Sequence, residues 1–412
     1  MLSTVPVEQQ YERIGDGPRI LVVGAGIAGI TAAQLLRRSG LRPVLIERGH
    51  DRGHPGYMLA LMPMVDPVLD ELAVREPYRA ASVPLNRYGL FGHTGRRIRT
   101  DSMASILDQY GDYRGIGRGE LIEVLSGDDC GVTSKTTVTG LTETAEAVTV
   151  TLAAAAGTAE LEFDLVIICD GIHSATRELV LPADRVGTVD TGWAGWVIWL
   201  PADQDQDLGD ELWGAGFFLG AYPVAGRIGA IVGGPTADLA VGPPAFVAGI
   251  RRKLRRVSPR LDRVLDALAT DPDPYYWPLT DCRADRWTTG RTVLLGDAGA
   301  GFLPTAGIGA GMAMESAWVL ARMITRGTDV PLPDLLAAYE RAQRTRVEAA
   351  QDNSRALARM MFRRSRLLAA VRDVAARLLS VQAVLGPIQR LLADAPDPDR
   401  VLDNLSATVR HR

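Results

Sequence analysis

A strand, a glycine-rich turn and a helix follow one another early in this sequence. The apolar run Ile20 to Val23 predicts a buried strand, and Gly24, Gly26 and Gly29 come directly after it. A helical pattern then continues through residues 30–36. Glycine allows the backbone to turn tightly, to approach a phosphate closely and to pack a helix against the strand. This order is typical of a dinucleotide-binding fold, in which the pyrophosphate lies at the helix N-terminus.

The next predicted strand ends in an acidic residue. Pro43 to Ile46 is an apolar run, and Glu47 and Arg48 follow it. An acid at this position of a dinucleotide fold accepts hydrogen bonds from the adenosine ribose, which favours a cofactor without a phosphate on that ribose. Such glycine spacings also arise by chance in ordinary turns. The prediction therefore depends on strand, helix and acid occurring together.

Two later stretches indicate FAD rather than NAD. The apolar run Leu165 to Cys169 predicts a buried strand that ends in Asp170-Gly171. Thr292 to Leu295 predicts another strand, which ends in Gly296-Asp297. Because the strands of a doubly wound sheet present their carboxyl ends at one edge, we expect these turns to meet there.

The last stretch also contains a helix start bounded by glycines. Pro304, Gly307 and Gly309 precede a helix predicted from Gly311 to Ile324. A carboxylate such as Asp297 can bind a ribitol hydroxyl. The N–H groups at a helix start can stabilise the flavin N1–C2=O edge, where negative charge accumulates on reduction. The three stretches together predict one FAD site.

With these motifs the chain resembles the class A flavoprotein monooxygenases, the family of para-hydroxybenzoate hydroxylase and the aromatic polyketide hydroxylases. The resemblance extends from about Arg19 to Ala350. It rests on a GxGxxG motif at Gly24 to Gly29, a DG motif at Asp170-Gly171 and a GD motif at Gly296-Asp297. It implies that Arg118 lies near the FAD ribitol and pyrophosphate.

The chain departs from the family pattern at two places. Gly299-Ala300 stands where the family's GDAAH motif has alanine and histidine, and Ile308 and Gly311 stand where a polar residue and an asparagine are common. Backbone contacts to FAD are compatible with both changes. The predicted FAD contacts are Gly24, Gly26, Ile27, Ala28, Gly29, Glu47, Arg48, Arg118, Asp170, Gly171, Gly296, Asp297, Pro304, Gly307, Ile308, Gly309 and Ala310.

The fold class implied is α/β, with a Rossmann-like FAD-binding domain of the glutathione reductase type, an inserted β-sheet substrate domain and C-terminal helices. We assign residues 17–80, 101–182 and 284–333 to the FAD-binding domain, 81–100 and 183–283 to the substrate domain, and 334–412 to the helical region. The helical region has apolar residues at helical spacing between arginines. It can cap the substrate pocket or lie on a membrane surface, and acids such as Glu348, which interrupt the basic face, favour packing against the body of the protein.

The inserted segment is rich in aromatic residues. Between Gly187 and Gly234 the pattern has period two, which predicts strands with one face on the core and one face free to line a cavity. The resemblance places this sheet over the isoalloxazine ring. Trp196, Phe218 and Tyr222 are predicted to lie near the substrate, although any one of them can instead belong to the sheet core. As a group they indicate a bulky apolar or aromatic substrate.

The resemblance implies an FAD-dependent monooxygenase, a hydroxylase or epoxidase of secondary metabolism such as antibiotic biosynthesis. NADPH or NADH reduces the flavin, O2 adds to give a C4a-hydroperoxide, and its distal oxygen is transferred to an electron-rich substrate carbon. The cofactor carries this chemistry, so no acid or base is assigned. Pro304, Gly307 and Gly309 are predicted to position the flavin. NAD(P)H is expected to dock transiently, because no second nucleotide motif follows.

Two other functions remain open. In a non-redox cyclase, FAD is structural and the apolar cavity folds a polyketide-derived polyene for pericyclic, Diels–Alder-type closure. A flavin halogenase is disfavoured, because Trp196 to Pro201 does not match the halogenase WxWxIP pattern. The only lysines, Lys135 and Lys253, lie in a polar strand and in an arginine-rich segment, where neither suits halogenation.

Composition agrees with a large enzyme. The chain has 412 residues, 47% of them hydrophobic, with a net charge of −4 that gives no electrostatic reason to bind nucleic acid. The three cysteines form no metal-ligand pair, so no metal is predicted. Residues 1–17 include acids and polar side chains, unlike a signal peptide, and no apolar run is long enough to span a bilayer. We expect a cytoplasmic monomer or homodimer that uses a small-molecule substrate and O2.

Overall fold

A computed structural model describes residues 2–49, 56–127, 130–155, 157–378 and 381–410 of the chain. Its strands in chain order are β1 (Leu2–Thr4), β2 (Ile20–Val23), β3 (Val44–Ile46), β4 (Met58–Leu61), β5 (Val83–Pro84), β6 (Arg87–Phe91), β7 (Arg97–Ser102), β8 (Arg114–Gly117), β9 (Cys130–Val132), β10 (Thr136–Glu143), β11 (Val148–Ala154), β12 (Gly157–Phe163), β13 (Leu165–Ile168), β14 (Val186–Pro201), β15 (Leu208–Trp213), β16 (Phe218–Val224), β17 (Arg227–Pro235), β18 (Tyr275–Ala284), β19 (Thr288–Thr289), β20 (Thr292–Leu294) and β21 (Ala300–Gly301).

The helices are α1 (Val7–Glu12), α2 (Ile27–Arg38), α3 (Asp66–Glu71), α4 (Arg75–Ala81), α5 (Ala104–Leu107), α6 (Arg118–Ser126), α7 (Ala175–Val180), α8 (Thr236–Leu239), α9 (Pro243–Lys253), α10 (Pro259–Thr270), α11 (Gly309–Arg326), α12 (Leu332–Met361), α13 (Arg366–Leu378), α14 (Val381–Ala393) and α15 (Pro398–Arg410). Short 3-10 turns cover Pro63–Val65, Ala183–Arg185, Gly296–Ala298 and Pro304–Ala306.

The first large sheet has the order β19-β20-β13-β2-β3. Strands β20, β13, β2 and β3 run parallel, and every residue of these four strands is buried. Continuous apolar strands are required here because helices cover both faces of such a sheet. Helices α2 and α11 pack against each other above it. The α/β fold class is confirmed.

The second large sheet has the order β21-β18-β14-β17-β16-β15-β6-β7. All of its pairs are antiparallel except β15 with β6. One face of β14 packs with α9 and α10 in a separate hydrophobic core, and the other face belongs to a cluster that includes Phe218 and Met361. The sheet therefore has one face covered by helices and one face turned towards the C-terminal part of the chain. The division into cofactor and substrate domains stays a proposal.

Three smaller sheets complete the strand topology, with the orders β4-β8-β5, β10-β11-β12 and β1-β9. Strand β8 leads directly into α6, whose first residue is Arg118. Strand β4 pairs antiparallel with β8, so that Met58 lies opposite Gly117. The small β4-β8-β5 sheet thereby places the start of α6 beside the start of β4.

The C-terminal helices are fixed by ion pairs. Arg355 of α12 makes two hydrogen bonds of 2.7 and 2.8 Å to the buried carboxylate of Asp281 on β18. Arg372 of α13 donates to the carbonyl of Trp213, and the neighbouring Asp373 accepts from the His93 backbone N–H at 2.8 Å. The helix also carries exposed apolar side chains, namely Leu367, Leu368, Val371, Val374 and Leu378. The buried side chains of Arg372 and Asp373 therefore hold α13 on the body.

A buried ion pair also joins α11 to α12. Arg346 donates from Nε and Nη2 to the two oxygens of Glu315 at 2.7 and 2.9 Å. The Glu315 side chain is 3% exposed, and this burial raises the pKa of its carboxyl group. A carboxylate in such surroundings depends on its partner cation.

We expect Arg346→Met to lower the free energy of unfolding by about 3 kcal/mol at pH 7, because it leaves Glu315 buried and unpaired. The loss should be smaller at pH 5, where Glu315 can take up a proton. Urea denaturation of the FAD-free protein at the two pH values measures both effects. Arg341→Met, which changes an exposed arginine of the same helix, is the matched control. Equal losses for the two variants would contradict the prediction.

Candidate active site

One cavity of about 660 Å³ lies between the two large sheets. At one end it is lined by residues 26–28 of the glycine turn and by residues 302–310 before and at the start of α11. At the other end it is lined by aromatic residues of the antiparallel sheet, namely Tyr88, Trp213, Phe218 and Tyr222. Its size falls in the range of about 300–1,000 Å³ that is usual for ligand sites.

The glycine turn has the geometry that the sequence predicted. Gly24 has φ +100°, and a Cβ atom there would lie 2.7 Å from the carbonyl oxygen of Cys169. A Cβ atom on Gly29 would lie 1.9 Å from the carbonyl oxygen of Gly24. At Gly26, by contrast, a Cβ atom would meet nothing within 4 Å, because the residue faces the cavity. Packing thus requires glycine at Gly24 and Gly29, whereas Gly26 leaves space in the cavity for a ligand.

Helix α2 begins at this turn with its N–H groups uncapped by any side chain. Its N-cap is Gly26, and Ile27 and Ala28 of its first turn line the cavity. Free N–H groups and the positive end of the helix dipole form an anion site. The open space at Gly26 together with this helix start fits the pyrophosphate of FAD.

Glu47 lies at the end of β3, as the sequence predicted. Its carboxylate accepts hydrogen bonds from the backbone N–H groups of Ala25 at 2.8 Å and Gly49 at 2.7 Å. It therefore holds the glycine turn from the side. Neither Glu47 nor the exposed Arg48 lines the cavity, and contact of these two residues with the adenosine part of FAD stays a prediction.

The DG motif contributes its backbone rather than its carboxylate. Gly171 lines the cavity, whereas Asp170 accepts from the Ser174 hydroxyl and from the Thr176 backbone N–H at 3.2 Å. The buried Arg177 donates to the carbonyl of Ala298 at 2.9 Å and to that of Ile172 at 3.1 Å. Arg177 thereby joins the DG turn to the GD turn, a role that the sequence analysis did not assign to it.

Asp297 and Arg118 lie in the cavity wall, close enough for their charges to interact. Both line the cavity, together with Tyr57, whose backbone carbonyl accepts from the Arg118 N–H at 2.9 Å. The surrounding protein raises the pKa of Asp297 to about 6, and the positive charge of Arg118 opposes this shift. Burial also raises the pKa of Tyr57, and the positive charge of Arg118 again opposes the shift. A carboxylate in this position can accept a hydrogen bond from a ribitol hydroxyl.

The loop before α11 presents backbone to the cavity. Pro304 begins a 3-10 turn that ends at Gly307 in the left-handed conformation, with φ +62°. Helix α11 then starts at Gly309, two residues before the predicted start, and Pro304, Ile308 and Ala310 line the cavity with it. Gly296, with φ +62°, does not line the cavity, and a Cβ atom there would lie 2.8 Å from the Cβ atom of Ala28. The loop fits a planar ligand edge that accepts hydrogen bonds.

The aromatic predictions divide between the two faces of the sheet. Phe218 and Tyr222 line the cavity. Trp196 does not, because it packs with Phe246 and Tyr276 on the face covered by α9 and α10. The prediction that Trp196 contacts substrate is therefore wrong. Trp193, three residues earlier, and Val197, one residue later, belong instead to the cluster on the opposite face that contains Phe218 and Met361.

The sequence allowed the C-terminal helices to cap the pocket but did not assign individual wall residues. The segment between α12 and α13 closes one side of the cavity, where Phe362 stacks on Trp193 at 4.7 Å between ring centroids. Further lining residues from α12, α13 and α14 are Leu357, Met360, Met361, Leu368, Val371, Ala375, Ala376, Leu385 and Ile388. Their helical spacing predicted packing, but only the fold shows that they face this cavity.

The matching family model is described as an FAD binding domain and covers residues 18–214 and 252–354. The three motifs around the cavity lie within these limits. The chain belongs to the class A flavoprotein monooxygenases. As a member of this family it is an FAD-dependent monooxygenase, and NAD(P)H is the reductant typical of such enzymes.

Curated relatives have related names. The chain is 30% identical over 366 residues to the 3-amino-4-hydroxybenzoate 2-monooxygenase of Streptomyces platensis, covering 82% of this chain and 87% of the relative. It is 28% identical over 347 residues to the aurachin C monooxygenase/isomerase of Stigmatella aurantiaca, with the same coverage of 82% and 87%. Both relatives are named as monooxygenases.

Solved structures share the fold. The Klebsiella pneumoniae protein HpxO, crystallised with FAD and uric acid, has a TM-score of 0.81 at 23% identity and covers 92% of this chain and 98% of its own. Within the ranges that the structure describes, no helix combines the length and hydrophobicity of a membrane span, and no cluster of three potential metal ligands occurs.

We expect Gly26→Val to give colourless protein, because the new side chain enters the space left for the pyrophosphate. The absorbance ratio at 450 and 280 nm of the purified protein measures FAD content. Gly249→Val in α9, where a Cβ atom meets only a distant arginine side chain, is the control and should stay yellow. A yellow, fully loaded Gly26→Val protein would contradict the placement of the pyrophosphate.

FAD affinity should depend on the charge of Asp297. Since the pKa of this group is raised to about 6, it is largely protonated at pH 5 and ionised at pH 8. If the ionised form binds the ribitol hydroxyl, affinity should fall roughly tenfold between pH 7 and pH 5. FAD fluorescence quenching across this range measures the effect. Asp297→Asn should bind more weakly at pH 8 and lose the pH dependence; an unchanged profile would reject the assignment.

Proposed function

We propose that this monooxygenase hydroxylates or epoxidises a bulky apolar or aromatic small molecule, with NADPH or NADH and O2 as co-substrates. The observation that carries the proposal is the single cavity that connects the FAD motifs with the aromatic face of the sheet. Because cofactor and substrate ends form one space, a molecule on the aromatic face lies next to the flavin without crossing a protein wall.

Named residues would hold FAD. The start of α2 at Gly26 to Ala28 would bind the pyrophosphate, Asp297 and Arg118 would bind the ribitol region, and the loop at Pro304, Gly307 and Gly309 would hold the isoalloxazine ring. When bound, FAD supplies the reduction by NAD(P)H and the activation of O2. The N-terminus of α11 carries positive dipole charge and therefore stabilises negative charge on a bound ring.

The cavity walls have two further tasks, which are to orient the substrate and to exclude water. Leu90, Phe218, Ile231, Leu279 and Met361 are buried apolar residues of this wall. An apolar wall excludes water, which limits side reactions at a bound flavin. The shape of the wall also orients an apolar ring. The wall therefore supports an apolar or aromatic substrate.

The proposed setting is secondary metabolism. Relatives from Streptomyces platensis and Stigmatella aurantiaca are named for reactions on an aminohydroxybenzoate and on aurachin C. The first of these names denotes an aromatic compound, which agrees with the aromatic face of this cavity. We also propose that the enzyme acts in the cytoplasm as a monomer or homodimer.

The alternatives receive less support. The relatives from Streptomyces platensis and Stigmatella aurantiaca are named monooxygenases, not cyclases. For a halogenase, a lysine would have to reach the flavin. Lys135 is exposed, and Lys253 lies over the ring of Phe217 at 5.7 Å, so neither lines the cavity.

The proposed function predicts NADPH or NADH oxidation that a correct substrate accelerates, with incorporation of one oxygen atom from O2. Reaction of the FAD-loaded protein with a panel of phenols, quinolones and polycyclic aromatics under ¹⁸O2, followed by mass spectrometry, tests it. Product with a mass gain of two relative to the ¹⁶O2 reaction supports the proposal. Formation of a product without O2 and without flavin bleaching would instead establish the cyclase.

A further inference from the structure

A carboxylate lies on the aromatic face of the cavity and belongs to none of the FAD motifs. Glu211 of β15 lines the cavity and lies between β6 and β16 in the sheet. Its Oε2 accepts a hydrogen bond from the Tyr88 hydroxyl at 2.8 Å and from the Trp213 indole N–H at 2.7 Å. Its Oε1 accepts from the Tyr222 hydroxyl. All four side chains line the same space.

This network uses every hydrogen-bond donor that it contains. Each tyrosine hydroxyl has one proton, and the Trp213 indole has one N–H, and all three are directed at Glu211. Burial and the charge of Glu211 raise the pKa of Tyr88 and of Tyr222, so both phenols keep their protons. What remains available to a ligand are the lone pairs of the two tyrosine oxygens and of the carboxylate. The network itself therefore presents acceptors to a ligand, and the hydroxyl of Tyr113, which also lines the cavity, is a separate group.

Nearby positive charge does not compensate for this. Arg99 lines the cavity but donates to Asp101 at 2.6 Å, and Arg372 donates to Asp373 at 2.9 Å and to backbone carbonyls. The remaining cavity arginines are Arg118 at the cofactor end and the exposed Arg363. Among the described cavity residues, no arginine or lysine forms a hydrogen bond or ion pair with Glu211.

We propose that Glu211, held by Tyr88, Tyr222 and Trp213, is the polar anchor of the substrate site and binds an N–H or O–H group of a neutral or cationic aromatic substrate. The anchor discriminates against ligands that place a carboxylate, ether or other acceptor next to Glu211. Two acceptors that face each other in a buried site cannot form a hydrogen bond, and this raises the free energy of the complex. This inference deepens the proposed function and rests on it for the assignment of the aromatic end to substrate.

The same group suits the chemistry of the reaction. A hydroxyl or amino N–H attached to an aromatic ring donates electron density into the ring, and a hydrogen bond from that group to a carboxylate increases this donation. An electron-rich ring carbon is the kind of atom to which a flavin monooxygenase transfers oxygen. Glu211 is therefore a specificity-determining residue whose ligand class is phenols, anilines and N–H heterocycles.

Matched probe pairs test the anchor without turnover. We would titrate FAD-loaded protein with 1-naphthol and 1-methoxynaphthalene, and with 2-heptyl-4(1H)-quinolone and its N-methyl derivative. Dissociation constants follow from perturbation of the flavin absorbance and of tryptophan fluorescence. In at least one pair, the wild type should bind the donor member at least about tenfold more tightly, as expected for a hydrogen bond to a charged group.

Glu211→Gln should reduce this ratio to about threefold or less. The amide brings its own N–H donors and lets a tyrosine hydroxyl turn to the cavity, so acceptor ligands become acceptable. Tyr222→Phe removes one of the three donors that hold Glu211 and keeps the carboxylate, so it should lower the ratio less than Glu211→Gln does. Glu211→Met, which also removes the carboxylate, should reduce the ratio to about threefold or less and serves as the second variant if Glu211→Gln folds poorly. Glu146→Gln, at an exposed hairpin turn, is the control.

The outcomes separate the possible roles. A purely structural role would lower Tm and weaken both members of a pair equally, leaving the ratio unchanged in Glu211→Gln, and this would overturn the proposal. A wild type that shows no donor preference in either pair would overturn it as well, as would a larger loss of the preference in Tyr222→Phe than in Glu211→Gln. Donor preference that depends on Glu211 while no probe is oxygenated would contradict the monooxygenase proposal alone.

Discussion

The parallel pairing of β13 with both β2 and β20 is the constraint on which the rest of the site depends. Ile168 lies opposite Val23 on one side and opposite Leu294 on the other. The glycine turn, the DG turn and the GD turn therefore begin at one level of one sheet edge. Gly24 and Gly29 then allow α2 to approach so closely that any Cβ atom would collide with backbone. Three segments far apart in sequence thereby form one binding edge.

The aromatic end of the cavity depends on contacts between charged side chains of the C-terminal helices and the sheet, and less on strand pairing. Arg355 with Asp281 holds α12 against the antiparallel sheet. Arg372, which donates to the carbonyl of Trp213, and Asp373, which accepts from the His93 backbone N–H, hold α13 against it. Buried ion pairs of this kind contribute little net stability but are costly to break, so they fix the position of the helices. Because the cavity wall comes partly from these helices, their position sets the shape of the substrate space.

Much of the cofactor site could be predicted, and less of the substrate site. The glycine motifs are short, and glycine is needed in them because the backbone has positive φ at positions such as Gly24 and Gly307. These turns and the start of α2 therefore have the conformation that the sequence indicates. Period two in β14 predicted alternating faces but did not say which face meets helices and which meets the cavity. Trp196 was therefore placed on the wrong side, while Phe218 on β16 lies on the cavity side. A single residue of register decides between the two faces.

By itself the sequence determined the α/β fold, the edge of the parallel sheet where FAD binds, and the family. These follow from short motifs whose glycines and acids can be recognised without knowing the rest of the fold. Only the tertiary structure decided that Arg177 joins two turns and that Tyr88, Glu211 and Tyr222 meet in one network. The reason is physical: side-chain networks depend on strand order and register between distant segments, and β6 reaches β15 across more than a hundred intervening residues. The contents of the substrate cavity are thus a property of the folded sheet rather than of any motif.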